Sequence, residues 1–237
     1  MTLGDPELVR EEYASEGGLL ARRAIYDNRT GPDPRDLLWD EIVAADPRRV
    51  LEVGSGPGEL SELMLAELRC DVVALDLSER MVELCRARGI DARAGDLQAL
   101  PFPADAFDLV VAAWVLFHVE HIDVGLGEIA RVLRSGGRLV AVTNSEQHLS
   151  EARELVGISR LGQMSFSREN GEEALRRHFE HVRRIDVDGT VAFADREALQ
   201  GYVRALGIWR RDPDSVPDLP EPIVATTRNA IFVALKS

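Results

Sequence analysis

The sequence predicts an α/β fold built on a doubly wound, mostly parallel sheet, and three stretches carry that expectation. Val50-Leu51-Glu52-Val53 reads as a short buried strand, Gly54 to Gly58 as a tight turn, and Glu59 to Leu68 as a helix with Leu60, Leu63, Met64, Leu65 and Leu68 near a helical period. Asp71 to Asp76 is a second apolar strand, and its terminal acid lies 22 positions beyond Gly54. Leu109 to Ala113 is apolar throughout, which suits a parallel strand covered on both faces.

The 237 residues are 45% hydrophobic, enough for one large domain with a sizeable core. A formal charge of −13 argues against a nucleic-acid partner, because phosphate contacts need clustered Lys and Arg. The only cysteines, Cys70 and Cys85, have no metal-ligand spacing and are too few for a disulfide framework, so a reducing cytoplasm is expected. The first 18 residues are acidic and lack the apolar segment of a signal peptide. The longest nearly apolar run, Leu109 to Val119, is too short to span a bilayer, so no membrane partner is expected.

Residues 1–46 read as a helical N-terminal cap. Leu19, Leu20, Ile25 and Tyr26 mark one apolar face, and Leu37, Leu38, Trp39, Ile42 and Val43 mark another. Gly31-Pro32-Asp33-Pro34 separates the two helices and Asp46-Pro47 ends the second.

The glycine turn is where the chemistry starts. Strand, glycine turn and helix bring backbone N–H groups against a ligand, since glycine has no Cβ to hold it off and a helix N-terminus favours a negative group. A dinucleotide fingerprint G-x-G-x-x-G would need a third glycine where this chain has Glu59. The spacing is instead Glu52-x-Gly54-x-Gly56-x-Gly58. Asp76 then stands near the distance expected of an acid that accepts both ribose hydroxyls. Ser78 is a plausible N-cap, with Glu79 in the first turn and Met81, Val82, Leu84 and Cys85 after it. Ala92 to Ala94 reads as a third strand, leading to Gly95-Asp96, then Leu100-Pro101-Phe102-Pro103 and Phe107-Asp108 before the fourth.

Taken together, these motifs, over roughly residues 48–143, resemble the class I S-adenosylmethionine-dependent methyltransferases. The resemblance implies a Rossmann-like seven-stranded sheet of order 3-2-1-4-5-7-6 with strand seven antiparallel. It implies S-adenosyl-L-methionine as cofactor, S-adenosyl-L-homocysteine as product and no metal. By the same resemblance Glu52, Gly54, Ser55, Gly56 and Gly58 form the cofactor loop. Asp76 and Leu77 meet the ribose, Met81 lines the adenine, Asp96 and the Leu97 backbone meet the adenine edge, and Ala113 and His118 close the site. Tyr13 or Arg23 of the N-terminal cap reaches the cofactor carboxylate. A Glu beneath a pyrophosphate would be repelled, whereas the sulfonium and ammonium of S-adenosylmethionine are cations.

Directly after the fourth strand come Trp114, Phe117, His118, Glu120 and His121. Ligands of doubly wound sheets sit beyond the strand carboxyl ends at the switch point, so this segment faces the transferred methyl. His118, with His121 behind it, is the expected general base. Gly127 to Leu133 reads as a helix ended by Ser135-Gly136-Gly137, and Arg138 to Thr143 as the fifth strand. Residues 144–169 read as a lid insertion with a helix from Ser150 to Leu161. Trp114, His148, Arg160 and Trp209 are the expected substrate contacts; Arg153, Arg160 and His148 are the polar groups of the lid able to reach inward, with solvent the expected side for either arginine. A helix Glu172 to His178, a strand Val182 to Val187 with an extension Thr190 to Ala194, a helix capped by Asp195, and a last strand Ala230 to Leu235 complete the chain.

The expected activity is in-line methyl transfer to an O, N, S or C atom of a small molecule, with oligomeric state left open. The alternatives are a protein or RNA methyltransferase, which the acidity disfavours for RNA, and a non-catalytic S-adenosylmethionine-binding protein.

Overall fold

The computed structural model describes Glu7 and residues 25–158, 164–206 and 212–237. Helix α1 (Pro34–Ala44) starts where the sequence places a stop and a start together. Asp33 accepts the Arg35 N–H at 2.8 Å, and Pro34 occupies a position that needs no N–H. Then follow β1 (Arg49–Val53), α2 (Glu59–Glu67), β2 (Asp71–Asp76), α3 (Glu79–Ala87) and β3 (Asp91–Ala94). After them come β4 (Phe107–Ala113), α4 (Ile122–Val132), β5 (Leu133–Asn144), α5 (Ser150–Leu155), α6 (Gly171–Arg176), β6 (His181–Phe193), α7 (Arg196–Ala205) and β7 (Ile223–Leu235).

The strands form one sheet of order β3-β2-β1-β4-β5-β7-β6. Pairing is parallel from β3 through β5, and β7 runs antiparallel to both β5 and β6. The expected order is therefore the observed one. Between β1 and β4 the chain reverses its direction of travel across the sheet, which makes the carboxyl ends of these two strands the switch point.

Alternate residues of the central strands enter different cores. Leu51, Val110 and Ala112 join one cluster with Leu126 and Ile129 of α4. Val50, Leu109 and Val111 join another with Leu38 and Ile42 of α1 and Met64 of α2. This two-sided burial is why β4 reads as an unbroken apolar run. A satellite core lies beyond the sheet proper, where Leu149 and Ala152 meet Val191 and Phe193 of β6 and Leu199, Tyr202 and Val203 of α7. Among the described residues no helix is long and apolar enough to cross a membrane.

Several boundaries move. Helix α4 begins at Ile122 and ends at Val132, and Ser135-Gly136-Gly137 lies inside β5 rather than capping a helix. The Gly136 N–H donates to the Lys236 carbonyl at 2.9 Å and the Lys236 N–H to Gly137 at 3.0 Å, so the tail of β7 satisfies groups that a cap would otherwise serve. Strands β6 and β7 pair continuously from His181↔Leu235 to Phe193↔Ile223, bridging the expected gap at Asp188-Gly189. Helix α5 stops at Leu155, six residues short of Leu161.

Candidate functional site

The loop after β1 is drawn over the end of β2. Gly54 donates its N–H to the Leu75 carbonyl at 2.7 Å and Ser55 does so at 3.2 Å. Gly54 and Gly56 have φ of +66° and +54°, in the left-handed region that L side chains rarely adopt. A Cβ on Gly54 would collide with Val115 just after β4, so loop and post-β4 segment approach closely only because of that glycine. A Cβ on Gly56 would meet nothing within 4 Å, and its backbone therefore faces open space. Gly58 opens α2 as its N-cap.

Asp76 ends β2 at 8% exposure. One of its carboxylate oxygens accepts the Gly56 N–H at 2.8 Å and the other the Ser78 N–H at 2.9 Å. Burial pushes its pKa up, and the backbone N–H groups of Ser78, Gly56 and Leu77 oppose that shift. Each oxygen keeps lone-pair capacity for a further donor. Glu52 is buried deeper, at 2% exposure, and accepts a short hydrogen bond from Ser61 Oγ. Burial pushes the Glu52 carboxyl up to about 7; the Ser61 bond pulls it down and the charge of Asp76 adds to the rise. Ser55 is buried with its Oγ 3.5 Å from Cys85 Sγ, and that thiol donates to the Gly56 carbonyl at 3.2 Å. The sequence offers no cue to this thiol support beneath the loop.

An open cleft of about 590 Å³ lies beyond the carboxyl ends of β2 and β3, lined by Leu77, Ser78, Glu79, Arg80, Ala94, Gly95 and Asp96. Leu77 and Asp96 thus face the space where the resemblance places ribose and adenine. Met81 does not: it is fully buried, and its N–H is capped by Ser78 Oγ. Leu97 is buried too, in a 3-10 turn, leaving its backbone rather than its side chain available. Asp96 accepts from Gln98 N at 2.8 Å, and Gln98 Oε1 accepts the His121 N–H at 2.9 Å. Gln98, absent from the sequence-derived set, therefore ties the adenine-side acid to the segment after β4.

That segment leaves β4 abruptly. Ala113 ends the strand half-buried, and Trp114 takes φ of +52°, a strained value for a bulky residue and one that clusters at functional sites. Trp114 Nε1 donates to Asn144 Oδ1 at 3.1 Å, and Asn229 Nδ2 donates to the same oxygen at 2.7 Å. A polar wall thus runs from the ends of β4 and β5 to the middle of β7. His118 follows in a 3-10 turn, half-buried, its ring centroid 4.4 Å from that of Phe117. His121 is exposed at the start of α4. Ser165 Oγ bonds the carbonyls of Leu116 and Phe117 at 3.3 and 3.2 Å, so the segment after β5 rests on this turn.

Of the expected substrate contacts, Trp114 lies at the strand ends and His148 does not offer a free nitrogen. His148 is 6% exposed, with Nε2 2.9 Å from Tyr26 Oη and Nδ1 3.0 Å from the Arg228 backbone. Burial pulls it down to about 4, with the charges of Arg153, Arg29 and Arg228 adding to the fall and its Arg228 backbone bond opposing. Arg153 is not solvent-facing; it is 2% exposed. Tyr13, Arg23, Arg160 and Trp209 lie outside the described residues. Among the described residues, no group of three or more His, Cys, Asp or Glu is placed to hold a metal.

A model of the family described as "Methyltransferase domain" matches residues 51–141, which span the glycine loop, Asp76, Asp96 and β4. Residues 51–141 thus match a methyltransferase domain, in keeping with the class I S-adenosylmethionine-dependent methyltransferases that the motifs resemble. The chain is 41% identical to the demethylmenaquinone methyltransferase of Renibacterium salmoninarum over 108 residues, 45% of either chain. The match thus spans less than half of that relative. It is 29% identical to the malonyl-[acyl-carrier protein] O-methyltransferase of Chlorobium luteolum over 87% of this chain and 80% of that one. Among solved structures, the [4+2]-cyclase SpnF superposes with a TM-score of 0.64 at 20% identity, covering 100% of this chain and 97% of the cyclase. The open glycine backbone at Gly56, the buried acid at Asp76 and the cleft beside it fit the adenosine half of S-adenosylmethionine.

Proposed function

We propose that the protein transfers a methyl group from S-adenosylmethionine to a small molecule. The observation that carries this reading is the junction of Gly56, Asp76 and the cleft ending at Asp96, next to the post-β4 turn bearing His118. When bound, S-adenosylmethionine supplies an activated sulfonium methyl. The chain's own work is then alignment and exclusion of water. Asp76 accepts the ribose hydroxyls, Asp96 and the Leu97 N–H engage the adenine, and Glu52, Gly54, Ser55 and Gly58 shape the loop. Tyr13 or Arg23 takes the cofactor carboxylate, and residues 144–169 with the N-terminal cap cover the acceptor.

Alignment of two bound reactants supplies on the order of 7–11 kcal/mol. His118, with His121 second, receives the proton of an acceptor that carries one, worth a factor of roughly 10²–10⁴. Relatives named as acting at demethylmenaquinone and at malonyl-[acyl-carrier protein] support a small or carrier-bound acceptor without selecting its atom. The two unpaired cysteines support a cytoplasmic setting, and the net charge of −13 disfavours nucleic acid.

The test is a small-molecule screen with release of S-adenosylhomocysteine as readout, run on wild-type and His118→Ala. Turnover with at least one acceptor is expected, reduced 10²-fold or more in the variant while cofactor affinity holds. Cofactor binding with no methyl release from any acceptor would favour a binding protein instead.

A further inference from the structure

Arg153 is a buried cation beside the satellite core that makes no ion pair among the described residues, Glu151 and Glu154 acting on it only at longer range. It is 2% exposed, and its Nη2 donates to the Glu146 carbonyl at 2.6 Å. Its Nε and Nη1 are buried with no hydrogen-bond partner among the described residues. The acids on the same helix are engaged elsewhere or face water. Glu151 accepts the Thr226 hydroxyl at 2.6 Å and the Thr226 N–H at 3.2 Å, while Glu154 is exposed. The neighbouring arginines are also committed, Arg29 to the Pro32 carbonyl and Arg228 to the Gln147 carbonyl. A buried guanidinium with idle donors costs several kcal/mol of desolvation that only a matching anion repays. In a chain of net charge −13, retaining one is a strong pointer to a ligand.

We propose that Arg153 anchors a carboxylate carried on the apolar body of the methyltransferase's substrate. The apolar part follows from the place of Arg153 in the fold: its helix neighbours Leu149, Ala152 and Val156 belong to the satellite core together with Leu199 and Val203. A monoanion matches the one guanidinium whose Nε and Nη1 are idle, because the nearby Arg29 and Arg228 already donate to backbone carbonyls. Tyr202, in that cluster and close enough to interact electrostatically with Arg153, stays a neutral phenol because burial raises its pKa. A short run of chain and two hydrogen bonds link Arg153 to the end of β4. Glu146, which holds Arg153, stands two residues beyond Asn144, and Asn144 holds the Trp114 indole at the end of β4.

The word substrate rests on the methyl-transfer reading, but the carboxylate site is tested without turnover. Full-length protein saturated with S-adenosylhomocysteine is titrated calorimetrically with straight-chain monocarboxylates from butanoate to dodecanoate, each beside its primary amide, and with inorganic phosphate. At least one acid is expected to bind tenfold or more tightly than its amide, with phosphate inert. Arg153→Met should lose that preference and Arg153→Lys should keep part of it. The melting temperature of ligand-free Arg153→Met should equal or exceed that of wild-type, because the variant removes an unpaired buried charge. Acid and amide binding alike, no acid binding, phosphate binding as well as the acids, an undiminished acid preference in Arg153→Met, or a lowered melting temperature in that variant each overturns the proposal. Failure of S-adenosylhomocysteine to bind would count against the methyl-transfer reading alone, and the acid series in its absence would still decide Arg153.

Discussion

Asp76 fastens two backbone segments that must sit together for a ribose to fit, the glycine loop through Gly56 and the start of α3 through Ser78. Asp76→Ala should cost about 1–3 kcal/mol of cofactor affinity, since it removes the acceptor for buried hydroxyls. Calorimetric affinity equal to wild-type would remove the ribose role. Two other buried groups set opposite pH dependences. Between its ordinary 4.5 and about 7, folded Glu52 keeps a proton that the unfolded chain has lost, so its contribution falls as pH rises through that window. Between about 4 and 6.5, the unfolded chain protonates the residue at 148 while folded His148 stays neutral, so stability is lost as pH falls. Glu52→Gln should therefore gain stability relative to wild-type towards pH 8, on the order of 1–3 kcal/mol, and His148→Gln should flatten the acid limb. Denaturant unfolding at a series of pH values reads both; parallel wild-type and variant profiles would show that these groups titrate normally. Local geometry was legible where a motif fixes the backbone, as in the turn of Gly54 and Gly56 beside Asp76. Arg153 was not legible, because an arginine between apolar helix positions reads the same whether its head finds water or a buried site.

At the scale of elements, strands joined by local chemistry were readable and those joined across the chain were less so. Strand β2 and the cap Ser78 fall where hydropathy and capping place them. Strand β5 is longer than its apolar run because Gly136 and Gly137 pair with the tail of β7, a contact almost a hundred residues distant that local sequence does not encode. The post-β5 segment also differs from a detachable lid. Phe166 is fully buried, packs edge-on against Phe232 at 5.4 Å and belongs to the main core, while Thr143 Oγ1 donates to its carbonyl at 3.2 Å. Phe166→Ala should destabilise the whole protein by about 3–5 kcal/mol in denaturant unfolding. A loss under 1 kcal/mol would mean that this anchor is not part of the cooperative core.

At the scale of the molecule, the sheet order places the sequence-derived cofactor positions that the structure describes, apart from Met81 inside α3, toward the carboxyl ends of β1, β2, β3 and β4. Edge strands β6 and β7 instead extend outward to build the satellite core with α5 and α7. The central claim is that the loop with Glu59 in place of a third glycine takes a cationic sulfonium cofactor rather than a dinucleotide. Titration calorimetry of the full chain with S-adenosylmethionine and with NAD tests it directly. Micromolar S-adenosylmethionine binding, roughly −8 kcal/mol, with NAD at least a hundredfold weaker is the predicted result; NAD binding as tightly as S-adenosylmethionine would contradict it.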